Sequence, residues 1–242
     1  MDKLERYISK FDIEKVKNLE QTKDKQFVAL LEVWKYINIK DRSADIKALF
    51  LFLIVQNALI WYQLSWTGED WWCEFCEFVK SFDLTDIDFD DLLQKWKTFL
   101  QNSKNNKRFL KTKTNRLLKT NSLWLEKNKL IDIWSKDMEA LNRYLANMMW
   151  QKDNAKTIVF AIKMYGYGLR ILDKKFSHYP FDIAIPIDSR VTKIYNQLVD
   201  SSDSFKDIVN YFFDLSSKYN IPSLHIDSIL WIDIWSKLGF DN

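Results

Sequence analysis

The sequence predicts an all-α protein in which two helical lobes flank a cleft. Two observations carry that expectation. Among 242 residues there are only 4 glycines and 3 prolines. Apart from Gly68, neither residue type occurs before Gly166, and Pro180, Pro186 and Pro222 all lie in the last third. So few chain breakers leave little room for the tight turns of a multi-strand sheet. The second is aromatic content, 16% of the chain with 11 tryptophans. That is ample core material, with flat rings to spare for stacking. The length suits one domain over residues 1–242, with approximate lobes 1–123 and 124–242 meeting near residues 122–125.

In chain order, helices are expected near Lys25–Tyr36, Ser43–Tyr62, Asp70–Phe82, Asp90–Gln101, Asn105–Lys119, Glu126–Trp134, Lys136–Met149, Asp153–Leu172, Asp188–Val199, Ser204–Lys218 and Pro222–Leu238. Asp or Ser near many of these starts can accept the unpaired N–H groups of a first turn. The run Ala48–Val55 is strongly apolar but short, and Gln56-Asn57 interrupt it, so a buried core helix explains it better than a membrane span. Ile183, Ile185 and Ile187 are the one convincing extended segment; with Pro180 and Pro186 beside it, the segment is a connector and not a sheet strand.

Formal net charge is only +3, so the overall balance does not argue for a nucleic acid. Its distribution does. Asp83, Asp86, Asp88, Asp90 and Asp91 crowd one stretch, and from Leu92 to Leu125 no acidic residue follows. That acid-free stretch carries Lys95, Lys97, Lys104, Lys107, Arg108, Lys111, Lys113, Arg116 and Lys119, a local attraction for polyanions. Cys73 and Cys76 have a C-x-x-C spacing, but two thiols with His178 and His225 do not make a convincing four-ligand site. The expectation is two reduced helix thiols, which fit a cytoplasmic protein, with no metal and no cofactor. The amino-terminal residues have no apolar signal core.

Lys156 and Asp188 are the most informative pair. Lys156 opens an apolar helical stretch behind Asp153-Asn154-Ala155, a plausible cap; Asp188 ends the extended run and opens the next helix. Burial and the positive end of a helix both disfavour an ammonium, so an amine so placed can serve as a Schiff-base nucleophile. A carboxylate that caps a helix can keep one oxygen facing a cleft, where it would stabilise a sugar oxocarbenium. Read alone, each has a plain alternative: a solvated first-turn charge, and a cap with no other task.

The segment Ile185-Pro186-Ile187-Asp188-Ser189-Arg190 resembles the aspartate end of the helix-hairpin-helix glycosylase signature, with Lys156 in the place of its lysine. Asp188 lies 188 − 156 = 32 positions after Lys156, a spacing similar to that of the archaeal 8-oxoguanine DNA glycosylase family. The runs Lys156–Lys163, Pro180–Ile183, Asn57–Ile60 and Ile221–Trp231 resemble that family in the same order. The resemblance implies a bifunctional glycosylase and apurinic/apyrimidinic lyase acting on DNA that contains 8-oxoguanine. Lys156 would attack the sugar carbon and Asp188 would assist departure of the base. A flipped purine needs flat side chains and hydrogen bonds to its edges. By resemblance, Trp72 and Trp231 sandwich it, Gln26 reads its edge, Lys163 and Asp227 form the polar wall, and main-chain groups near Trp61 and Pro186 contribute. Lys104, Lys107, Arg108, Lys111, Arg116 and Arg190 are the phosphate candidates. One departure stands out: Met148–Ala155, where the superfamily has a glycine-rich hairpin, contains no glycine.

A monomer on DNA, with no membrane contact, is the expected form. Rival readings are a sister glycosylase for another base, a catalytically silent DNA-binding helical protein, and a membrane-associated scaffold resting on Ala48–Val55.

Overall fold

The computed structural model describes residues 1–40, 44–65, 68–81, 83, 87–199 and 203–239. Among these no strand occurs. The helices are α1 (Lys3–Ile8), α2 (Ile13–Lys23), α3 (Lys25–Lys40), α4 (Ala44–Leu59), α5 (Gly68–Lys80), α6 (Phe89–Asn102), α7 (Leu110–Lys119), α8 (Asn121–Leu125), α9 (Lys129–Asp132), α10 (Met138–Met149), α11 (Lys156–Asp173), α12 (Ser189–Leu198) and α13 (Phe205–Tyr219). Then α14 (Ser223–Ser228) runs through a π-helical stretch, Ile229–Ile234, into α15 (Trp235–Lys237). The residues between α11 and α12 form an extended connector, as the prolines suggested.

Two expected elements differ, and two helices appear that were not expected. The helix expected from Asn105 begins at Leu110, because Ser103 Oγ accepts the N–H groups of Asn105 and Asn106 and holds a turn there. The helix expected over Glu126–Trp134 is reduced to the single turn of α9, which i→i−3 bonds link to α8 before it; α9 buries only Leu130, too small an apolar face to hold a regular helix. Helices α1 and α2 were not anticipated. Each carries few apolar residues, but an aspartate, Asp2 or Asp12, accepts a first-turn N–H at its start. The expected bounds at Ser43 and Phe82 and the acidic residue Asp86 lie outside the described residues.

Helix α11 is the axis of the molecule. Every residue from Thr157 to Ile171 is buried, and its main partner is the equally apolar α4. Two of the four glycines mark its close approaches. A Cβ at Gly168 would meet the side chains of Ile54 and Leu51 at 2.7 Å, and one at Gly166 would meet the Tyr179 ring at 2.3 Å. Ala48–Val55 is therefore an internal face of α4, and no described helix is long and apolar enough to cross a membrane.

The core divides into two clusters, and the division does not fall at residues 122–125. The larger runs from Phe27 to Ile183, with Leu224 added. The smaller joins Leu4, Ile8, Val16 and Leu19 of the first two helices to residues between Ile185 and Trp235. The buried Glu20 of α2 stitches the two together. It accepts from Arg170 at 2.6 Å and from Ser228 at 2.7 Å, and meets His225 Nδ1 at 2.9 Å. Burial alone would raise its pKa, but the His225 ring and the Arg170 guanidinium hold the carboxylate at about 2.

Candidate active site

Lys156 is the first residue of α11, from the larger cluster, and Asp188 caps α12, from the smaller. Lys156 Nζ lies 3.5 Å from Asp188 Oδ2, with the lysine side chain 33% and the aspartate 7% exposed. The other carboxylate oxygen, Oδ1, accepts the N–H groups of Arg190 and Val191, both at 2.9 Å. The cap therefore fixes the carboxylate and leaves one oxygen for the amine. At α11 the cap is different from that expected. Ala155 occupies the N-cap and no side chain closes the first turn. Asp153 does not cap the helix; its carbonyl accepts from Asn142 Nδ2 of α10 at 3.1 Å.

The Lys156 amine also sits 4.6 Å from the centre of the Trp61 ring. Trp61 stacks on Phe160 at 4.2 Å and leans against Trp231 at 6.1 Å. Phe160 and Trp231 line a cavity of about 570 Å³ together with Asp24, Gln26, Lys163, Arg190 and Asp227. That volume accommodates a flipped nucleoside. Its walls come from α2, α3, α5, α11, α12 and the helical run after Pro222, so the cavity, like the amine–carboxylate pair, spans the two clusters. Trp231 lies within the π-helical stretch, a distortion that often marks a functional position. Asp227, one helical turn earlier, shares the cavity with it as the i, i+4 spacing suggested.

Trp72 does not take the place expected of it. It is fully buried, edge-on to Phe75 at 5.8 Å and 6.4 Å from Phe160, and it does not line the cavity. Phe160 lines the cavity instead, on the same helix as Lys156 and Lys163. Its spacing of four from Lys156 was a signal available in the sequence. Pro186 is buried within the connector.

The polar end of the cavity is an ion pair. Lys163 Nζ donates to Asp227 Oδ2 at 2.7 Å, with both side chains almost completely buried. Burial raises the Asp227 pKa to about 6 against the opposing pull of Lys163, and Asp227 Oδ1 has no hydrogen-bond partner. Asp24, which sequence reasoning missed, stands beside the pair. One of its oxygens accepts from Gln26 N and the other from Tyr167 Oη, both at 2.8 Å, and burial raises its pKa too. It therefore sets the orientation of the first turn of α3, where Gln26 faces the cavity.

The phosphate candidates separate into two groups. Lys104, Lys107, Arg108 and Lys111 are exposed around the start of α7. Arg116 is tied inward: its guanidinium donates to Leu59 O at 2.8 Å and Thr157 Oγ1 at 3.0 Å and lies 4.6 Å over the Tyr62 ring. Lys113 is buried beside it, donating to Asn106 Oδ1, and burial lowers its pKa to about 8. Asn106 in turn donates to Ile60 O at 3.3 Å. The inner face of α7 thus braces the Leu59–Tyr62 turn, which carries Trp61, against the residue next to Lys156. The two carbonyls before Trp61, those of Leu59 and Ile60, are engaged by this brace. Arg190 lines the cavity, with its guanidinium 4.2 Å over Trp231 and 4.7 Å over Trp235.

A larger groove of about 1110 Å³ lies between α5 and α6. No catalytic or base-pocket candidate lines it, although Lys104 does. Cys73 and Cys76 are free thiols of α5. Cys76 is buried, donates to Ala29 O at 3.2 Å, and is pushed up to about 12 by burial. Among the described residues no group of three or more His, Cys, Asp or Glu is arranged to hold a metal ion.

Comparison with known proteins places the chain in a family. The AGOG family model, described as N-glycosylase/DNA lyase, matches residues 5–238. The N-glycosylase/DNA lyase of Nanoarchaeum equitans is 38% identical over 232 residues, covering 95% of this chain and 89% of that protein. Its counterpart in Methanococcus maripaludis is 35% identical over 223 residues, covering 91% and 82%. Among solved structures, the 8-oxoguanosine complex of Pa-AGOG, the 8-oxoguanine DNA glycosylase from Pyrobaculum aerophilum, superposes with a TM-score of 0.78 at 23% identity, covering 95% of this chain and 85% of that one. With a helical fold of that architecture and a family match along nearly its whole length, this chain belongs to the AGOG family and is an N-glycosylase/DNA lyase.

Proposed function

We propose that this enzyme excises 8-oxoguanine from DNA and then cuts the strand at the emptied sugar. The observation that carries the reading is the 3.5 Å approach of Lys156 Nζ to Asp188 Oδ2, beside a cavity lined by Phe160 and Trp231. The flipped base enters that cavity and stacks on these rings. Gln26 and the Lys163–Asp227 pair meet its edges. As the glycosidic bond breaks, positive charge develops on the deoxyribose, and the Asp188 carboxylate stabilises it. The Lys156 nitrogen attacks C1′ and the base leaves with the bonding electrons, taking up one amine proton; the C1′–O4′ bond then opens, O4′ takes the second amine proton, and a lysine imine is left at C1′. Proton removal from C2′ then expels the 3′ phosphate by β-elimination, and hydrolysis of the imine restores the amine. The structural relative from Pyrobaculum aerophilum, an 8-oxoguanine DNA glycosylase solved with 8-oxoguanosine, supports the choice of base.

Borohydride trapping tests this directly. On duplex DNA carrying 8-oxoguanine the parent enzyme is expected to form a covalent adduct, and Lys156→Gln none. A persistent adduct in Lys156→Gln would remove this lysine from the mechanism. Parallel duplexes with uracil or an alkylated purine establish the base preference.

A further inference from the structure

The outer face of α7, opposite its brace, is unused by the chemistry above. With 100° per residue, Lys111, Thr112, Asn115, Leu118 and Lys119 share one face, and Lys113 and Leu117 fall on the buried side. An exposed aromatic stands at each end of this face. Phe109, at the N-cap, is 58% exposed; Trp150, against whose ring Lys119 Nζ lies at 4.0 Å, is 86% exposed.

Both aromatics adopt left-handed backbone, with φ of 58° and 55°. For bulky residues this is uncommon and strained. Trp150 is the more telling of the two. It ends α10 in a Schellman closure, in which Gln151 N bonds Ala146 O at 2.9 Å. Glycine is the usual residue at that position because it incurs no steric cost there. Here the position holds the largest side chain available, almost fully in water, in the hairpin directly ahead of Lys156. Fold stability does not account for that choice; a contact made by the ring does.

We propose that DNA lies along the outer face of α7 from Phe109 to Trp150, with the Trp150 ring packed on a nucleoside and Lys107, Arg108, Lys111 and Lys119 on phosphates. Charge selects this occupant. No acidic residue occurs from Leu92 to Leu125, so two copies meeting through this face would repel, whereas a polyanion is attracted. Flat rings interleaved with cations are the chemistry that holds a nucleic-acid strand without reading its sequence. The proposal rests on the enzyme's engagement of DNA and is independent of which base it removes.

The test is equilibrium binding to duplexes that are undamaged or carry a tetrahydrofuran abasic analogue, over a range of salt concentrations. Trp150→Gly suits the left-handed backbone, so its melting temperature is expected to be at least that of the parent. Its affinity is expected to fall roughly ten-fold, with the salt slope unchanged because no phosphate contact is lost. Trp150→Phe is expected to recover most of the loss. Lys111→Gln gives the converse signature, a slope shallower by about one unit. Affinity in Trp150→Gly within two-fold of the parent would overturn the proposal. So would a loss of affinity not recovered by Phe, or a changed oligomeric state with DNA binding intact. A parent protein that binds neither duplex would instead refute the broader reading.

Discussion

Asp188 divides its two oxygens between Lys156 and the start of its own helix: Oδ2 stands 3.5 Å from the amine while Oδ1 accepts two backbone N–H groups. The two tasks can be separated by substitution. Asparagine keeps an oxygen for the cap and loses the charge. Asp188→Asn is therefore expected to melt within about a degree of the parent while base excision slows roughly 100- to 1,000-fold. Asp188→Ala loses the cap as well and is expected to be less stable by about 1 kcal/mol. Single-turnover excision and thermal melts on the three proteins check this; equal excision by Asp188→Asn would remove electrostatic stabilisation from the mechanism.

Arg116 offers a second separation. It donates to Leu59 O and Thr157 Oγ1, so its removal leaves a buried carbonyl unpaired and loosens the turn carrying Trp61. Arg116→Met is expected to cost roughly 1–3 kcal/mol of stability and to lower the excision rate, with the salt dependence of DNA binding unchanged. A slope shallower by about one unit would mean that this guanidinium reaches a phosphate after all.

For the exposed basic residues the expectation is reversed. The combined variant Lys107→Gln, Arg108→Gln, Lys111→Gln is expected to keep its melting temperature and to lower the salt slope of duplex binding by about 3, close to one unit per lost contact. An unchanged slope would place the duplex elsewhere on the surface.

Glu20 sets an acid limit to stability. Its folded-state pKa, about 2, lies below its ordinary value of 4.5, so the folded carboxylate resists protonation. The stabilisation is complete above about 4.5 and is lost as pH falls toward 2; its size is about 3 kcal/mol. Asp227, raised to about 6, has the opposite sign: it favours the folded state increasingly as pH falls from about 6 to its ordinary 3.8. Urea melts of the parent and of Glu20→Gln between pH 2 and pH 5 should therefore differ in slope, with the Glu20 contribution absent from the variant. Parallel curves would show that this carboxylate is not the group that titrates.

The fold class was legible because scarcity of glycine and proline is a property of the whole chain. Lys156 and Asp188 were singled out by the family resemblance of the segments around them, since a helix start beside an apolar run left each a plain alternative; their 3.5 Å approach is a contact of the fold. Other features depend on contacts across the fold. Glu20, Arg170 and His225 are far apart in sequence and meet only after α2 docks on the carboxy-terminal helices. Trp72 and Phe160 are both aromatic residues in helices, and only packing decides which of them lines the cavity. Arg116 and Lys111 belong to the same basic run, but helical rotation turns the first inward and the second to solvent. Helices α1 and α2 are too polar to announce themselves, since their few apolar residues find partners near the opposite end of the chain.

That pairing has a consequence for biosynthesis. Helices α1 and α2 are translated well before the residues between Ile185 and Trp235 that cover their apolar side chains. Lys156 is on the chain before Asp188, and Trp231 follows both. An unfinished polypeptide therefore holds Lys156 before the carboxylate and the aromatic ring that stand near it in the fold, and the proposed chemistry must wait until the later helices have packed on the earlier ones.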